Sequence, residues 1–213
     1  MKLIGMLDSP YVRRVAISLQ LLGLRFEHQS LSVFRNFSEF QHINPVVKAP
    51  TFVADDGTVL MDSTLILEYA ESIAQPKTLM PSTPPSLLCA LRIIGLASAA
   101  TDKSVQLLYE RDLRPPEKHH EVWIQRVTGQ IVAAYSELEA ELARTPLSME
   151  SSSINQAGVS TAVAWNFTQL TVPDAVEPSR FPRLVALSEH AESLPAFRAA
   201  PHGDSTYSDG NAS

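Results

Sequence analysis

The stretch NPVVKAPTF, Asn44 to Phe52, ends on a proline that opens an apolar run of strand-forming residues. A proline removes a donor from the ladder, so it is tolerated at the start of a strand, on an edge, or as a cis residue in a tight turn. If Pro50 is cis, the N–H and C=O of Ala49 turn away from the sheet and can pair with an extended peptide. The same residue also fits a plain strand-opening or edge proline, so its meaning depends on its neighbours.

Downstream, TFVAD and TVLM flank Asp56 and Gly57, the composition of a hairpin turn. DSTLILEYAESIA (62–74) follows with a capping residue and Leu65, Ile66, Tyr69 and Ile73 at helical spacing. Upstream, KLIGML (2–7) reads as a short strand that stops at DSP, where Asp8 or Ser9 can cap a helix with Pro10 in its first turn. Val12, Val15, Ala16, Leu19 and Leu22 give that helix an apolar face, and Gly23 stops it. With a strand within residues 25–32 and a short helix over 36–43, the order is βαβαββα.

Composition changes after residue 74. QPKTLMPSTPP (75–85) holds four of the 15 prolines, as an extended connection would. Beyond it only helical patterns appear. Leu87, Leu91, Ile94, Ser98, Thr101, Val105 and Leu108 are spaced to line one side of a long helix, and 121–143, 155–170 and 181–200 supply the others. The expected domains are an α/β domain over 1–75, a linker over 76–86, an all-helical domain over 87–200 and a disordered polar tail over 201–213.

The totals narrow the function. The chain has 213 residues, enough for two modest cores, and 23 acids against 17 bases give a formal charge of −6. That balance offers no attraction for nucleic acid or an anionic membrane. The first apolar run is shorter than a signal peptide's, and no stretch reads as a membrane span, so a cytoplasmic protein is expected. A single cysteine, Cys89, excludes an intrachain disulfide, and the six histidines show no metal-binding spacing, so no metal site is expected.

Two further positions could carry chemistry. Asp62 and Ser63 open a helix whose free N–H groups and dipole favour a carboxylate, while Asp62 can hold an ammonium; ordinary capping explains the same pair. Ser9, at the mouth of the first helix, has no adjacent His or Lys to act as a base and no nucleophile-elbow glycines. Its hydroxyl can instead donate to an anion, or simply cap the helix.

Taken in order, SPYVRRV, INPVVKAPTF and MDSTLILEYA over residues 1–74 resemble the thioredoxin-like domain of cytosolic glutathione transferases. INQAGVSTAVAW and LPAFRAA resemble pieces of that family's helical domain. The likeness covers the chain to about residue 200 and is of the bacterial, serine-type kind. It implies a thioredoxin-like domain plus an all-α domain, with glutathione as co-substrate and no tightly bound cofactor.

In that frame Ala49, beside Pro50, pairs with the cysteinyl unit, and Asp62 and Ser63 hold the γ-glutamyl group. Lys48 and Arg35 are the candidates for the glycine carboxylate, and Ser9 faces the sulfur, with Tyr11 the alternative hydroxyl. The implied activity is conjugation of glutathione to a small hydrophobic electrophile, as in detoxification, by a homodimer joined through the long helix. The rival reading is a non-catalytic binding or regulatory relative. Ser9 stands where thiol-transferring relatives carry cysteine, and SPYV lacks a CxxC pair, which disfavours disulfide exchange. Gly158 replaces the aspartate usual three residues after a helix cap, at an expected cost of about 1–2 kcal/mol.

Overall fold

Alternating short apolar runs and amphipathic helices produce, in the computed structural model, the βαβαββα order that the sequence implies. The structure describes residues 1–148, 150 and 152–207. Strand β1 (Lys2–Ile4) leads into α1 (Pro10–Leu21); β2 (Glu27–Gln29) and α2 (Phe37–Ile43) follow, then β3 (Thr51–Val53), β4 (Val59–Met61) and α3 (Ser63–Ile73). The strands lie in the order β2-β1-β3-β4, with β1 parallel to β2 and antiparallel to β3, and β3 antiparallel to β4.

The stop and turn residues behave as their chemistry requires. Gly23 ends α1 at φ 76° and Gly57 turns the hairpin at φ 86°, both in the left-handed region open to glycine. Leu3, Ile4, Phe52 and the α1 residues Val12, Val15, Ala16 and Leu19 are fully buried, forming the core of this unit. On α3 the buried positions are Ile66, Leu67 and Ala70, whereas Leu65 and Ile73 of the expected face are exposed.

The chain divides into two units, Met1–Leu79 with the segment from Ser193 onward, and Met80–Glu192. The expected boundary at residue 200 is therefore corrected. The buried Arg13 of α1 donates from Nε to the Ala200 carbonyl at 2.8 Å and stacks 5.8 Å from the Phe197 ring, and Gln20 donates to the Ala196 carbonyl at 3.0 Å. These bonds tie α8 (Pro195–Arg198) to α1. Of the tail expected to be disordered, residues 201–207 also pack, against β2; residues 208–213 lie outside the described residues.

The second unit contains α4 (Pro84–Asp112), α5 (Glu121–Arg144), α6 (Gln156–Thr171) and most of α7 (Pro182–Ser193), with short 3-10 turns between them. α4 takes in the last three residues of the expected linker, because Pro84 and Pro85 occupy a first turn whose N–H groups need no partner. Its buried stripe is Ala90, Ile93, Ala97, Ala100, Thr101, Ser104 and Leu107; of the expected repeat Thr101 lies on it, whereas Leu91 is exposed. Small side chains let α5 and α6, the helices α4 packs along, come close. α4 is also long and apolar enough to cross a membrane by length and composition, which corrects the expectation that no stretch is.

Inside this unit the Tyr135 hydroxyl donates to the Ala164 carbonyl at 2.8 Å, and Thr168 bridges Tyr135 and Ser104 at 2.6 and 2.7 Å. Asn155 caps α6, its Oδ1 accepting from Gly158 N–H at 3.0 Å, so the half of the capping motif that survives the missing aspartate is used.

Candidate functional site

The sheet register builds the site. Thr51 of β3 lies opposite Ile4 on one side and Met61 on the other. Ala49 and Pro50 run on past the end of this ladder, between the β1–α1 loop that carries Ser9 and the β4–α3 junction at Asp62 and Ser63. The Ala49–Pro50 bond is cis. Ala49 lies outside strand β3, two residues before Thr51, beyond the last paired position of the ladder.

Close packing fixes this convergence. Gly5 adopts φ 133°, and a Cβ built there would meet Val12 Cγ2 at 2.6 Å and Ala49 Cβ at 3.1 Å, so β1, α1 and the Ala49 loop meet where only glycine fits. His28, buried in β2, bonds from Nε2 to the Gly5 carbonyl at 2.7 Å. Its Nδ1 accepts the Tyr207 N–H at 2.9 Å, which assigns the proton to Nε2. Burial lowers the His28 pKa, against a smaller opposing effect of the Gly5 carbonyl, and keeps the ring neutral.

Ser9 caps α1: its Oγ accepts a long 3.5 Å bond from Val12 N–H, and its own proton remains available to donate. Tyr11 is the second residue of the same helix. Asp62 caps α3 at φ 74°, uncommon for a side-chain-bearing residue, with Oδ1 accepting from Thr64 N–H at 2.9 Å. Partial burial acts to raise its pKa, but the Thr64 amide and the Lys48 ammonium outweigh it and hold the carboxyl below its ordinary range. Ser63 is almost fully buried at the first position of α3, and among the described residues its hydroxyl has no partner. An ionised carboxylate next to a helix N-terminus and an unused hydroxyl can receive the ammonium and carboxylate of one amino acid.

The two expected cations go to different places. Lys48 Nζ lies 3.5 Å from Asp62 Oδ2, at the α3 end. Arg35 bonds Met6 Sδ at 3.3 Å and faces Asp204 Oδ2 at 3.9 Å, by the β1–α1 loop.

Three residues that shape the site escaped sequence reasoning: Gly5, His28 and Asn44. Buried Asn44 donates to Thr51 Oγ1 at 2.8 Å and accepts from Val46 N–H at 3.0 Å, while Thr51 Oγ1 donates to the Lys48 carbonyl at 2.7 Å. These bonds frame the loop before Pro50 and hold Val47 at φ 52°, a costly conformation for a β-branched residue. Asn44 before Pro45 reads as a turn residue; the available signal was a polar pair, Asn44 and Thr51, bracketing a loop inside apolar flanks.

Comparison with known proteins comes to the same region. A family model described as the glutathione S-transferase N-terminal domain matches residues 3–78. An uncharacterized GST-like protein, YibF of Escherichia coli, is 27% identical over 198 residues, 92% of this chain and 96% of that one. A glutathione transferase family member from Pseudomonas fluorescens Pf-5, solved with bound S-(propanoic acid)-glutathione, is 30% identical with a TM-score of 0.77, covering 94% of this chain and 98% of that one. A glutathione S-transferase of Methylobacterium radiotolerans, solved with glutathione sulfonate, has a TM-score of 0.85 at 24% identity over 93% of each chain, and speaks to the fold.

Proposed function

The chain belongs to the glutathione transferase family, and from that premise we propose that it binds glutathione and transfers its sulfur to a small hydrophobic electrophile. What supports the reading is the register that brings the Ala49 loop, the start of α3 at Asp62–Ser63 and the β1–α1 loop that carries Ser9 to one end of the sheet. The cysteinyl unit of glutathione pairs with Ala49 beside Pro50. Its γ-glutamyl ammonium and carboxylate go to Asp62 and to Ser63 with the α3 N-terminus. Arg35 supplies the positive charge for the remaining carboxylate, while Lys48, the other candidate, sits against Asp62.

Ser9 then donates to the sulfur. A thiol with a pKa of about 8.5 is only a few per cent ionised at neutral pH, and lowering it by about two units takes about 2.7 kcal/mol of selective stabilisation. A hydroxyl bond to a charged acceptor supplies about 1.5–3 kcal/mol, and the start of α1 up to about 1 more. The serine keeps its proton throughout. The thiol proton leaves to solvent, and the sulfur's electron pair forms a C–S bond as the electrophile's leaving group departs with its own pair. We also propose that the protein works as a homodimer, since α4 presents Leu88 (71% exposed) and Leu91 (50% exposed) on its surface.

The test is the pH-dependent ultraviolet absorbance of thiolate in glutathione bound to wild type and to Ser9→Ala. The expected result is a bound-thiol pKa about two units below that of free glutathione, returning upward in the variant with binding retained. Binding without any shift would favour the non-catalytic relative.

A further inference from the structure

Phe26, His28 and Ser30 alternate along β2 and its flanks, and the segment 201–207 is fastened to all three. The Tyr207 ring stacks on Phe26 at 4.7 Å and 19°, Tyr207 N–H donates to His28 Nδ1 at 2.9 Å, and Ser30 Oγ donates to the Asp204 carbonyl at 2.9 Å. A polar segment with few apolar anchors is thereby given a fixed path. That path delivers the Asp204 carboxylate to 3.9 Å from the Arg35 guanidinium.

Arg35 is itself held. Its backbone N–H donates to Ser32 Oγ at 3.1 Å and its guanidinium to Met6 Sδ at 3.3 Å, three residues before Ser9. Asp8, next to Ser9, feels His202, Arg35 and Asp204 together; burial raises its pKa, and His202, the Ser9 amide and Arg35 offset part of that rise. The charges brought to the β1–α1 loop are therefore partly self-balanced.

We propose that Asp204 is a specificity-determining residue of this site: an internal carboxylate holding Arg35, which a carboxylate on the ligand must displace. The inference rests on the glutathione reading above. It means that the site rewards a free carboxylate at the glycine end of the peptide less than a bare arginine would, and that segment 201–207 sets that discrimination without occupying the sulfur's position.

The experiment is calorimetric titration of the full chain with glutathione and with its glycine carboxamide at fixed low salt. Wild type, Asp204→Asn, Arg35→Ala and the double variant are compared. Exchanging an exposed ion pair for a ligand contact is worth a modest factor, so Asp204→Asn should tighten glutathione about two- to fivefold and leave the carboxamide unchanged. Adding Arg35→Ala should erase that gain. Tyr207→Ala, which removes the ring that anchors the segment, should tighten glutathione in the same direction. An equal effect on both ligands, no effect, or weaker glutathione binding by Asp204→Asn overturns the proposal while leaving the glutathione site standing. Failure of wild type to bind glutathione removes both.

Discussion

At the residue scale, the candidate site is framed by buried side chains behind it. Asn44 satisfies Thr51 and the Val46 amide from a buried position, so Asn44→Ala leaves buried polar groups without partners. It should cost about 1–3 kcal/mol in urea denaturation and weaken glutathione binding in parallel. Burial depresses the His28 pKa, so His28 contributes stability above its ordinary value of 6.5 that is lost as pH falls through the folded value. Thermal melts between about pH 7.5 and about pH 5.5 should show a fall in midpoint that shrinks in His28→Gln. The caps Ser9 and Asp62 were legible as helix starts because capping residues leave marks in sequence, and Pro50 marked the start of β3. Asn44, Gly5 and His28 were not, because their work is done by contacts with residues distant along the chain or by bonds that any turn asparagine could make.

At the element scale, local chemistry decided where helices begin and end, and packing decided which face they bury. α1 buries the apolar face its periodicity announces and the rest of its circumference as well, since every residue from Val12 to Leu19 is buried and α3 and α8 pack on it besides the sheet. α4 departs from its periodicity because two helices pack along it and small residues serve close approach better than leucines. Gly129 sits exposed inside α5 with no atom within 4 Å of an added Cβ. Gly129→Ala should therefore raise stability by about 1 kcal/mol, read as a higher urea midpoint at unchanged slope. Asn155→Ala, which removes the α6 cap, should lower it by a similar amount.

At the scale of the whole molecule, the order of strands and helices along the chain announced a βαβαββα domain and then a helical one, but not the return of segment 193–207 to the first. That return depends on buried Arg13, Phe197 and the residues of β2, far apart in sequence, and a polar stretch alone gives no sign of it. The proposed homodimer belongs to this scale too: light scattering at micromolar concentration should give twice the chain mass, and Leu91→Glu should reduce it to one. The return also has a consequence for biosynthesis. A ribosome adding about 5–20 residues per second exposes β2 long before residues 193–207 exist, since the entire helical unit is translated in between. For that interval of several seconds the nascent α/β unit lacks the contacts that residues 193–207 make with α1 and with the side chains of Phe26, His28 and Ser30. Newly made protein should thus need a holding chaperone more than its finished stability would indicate.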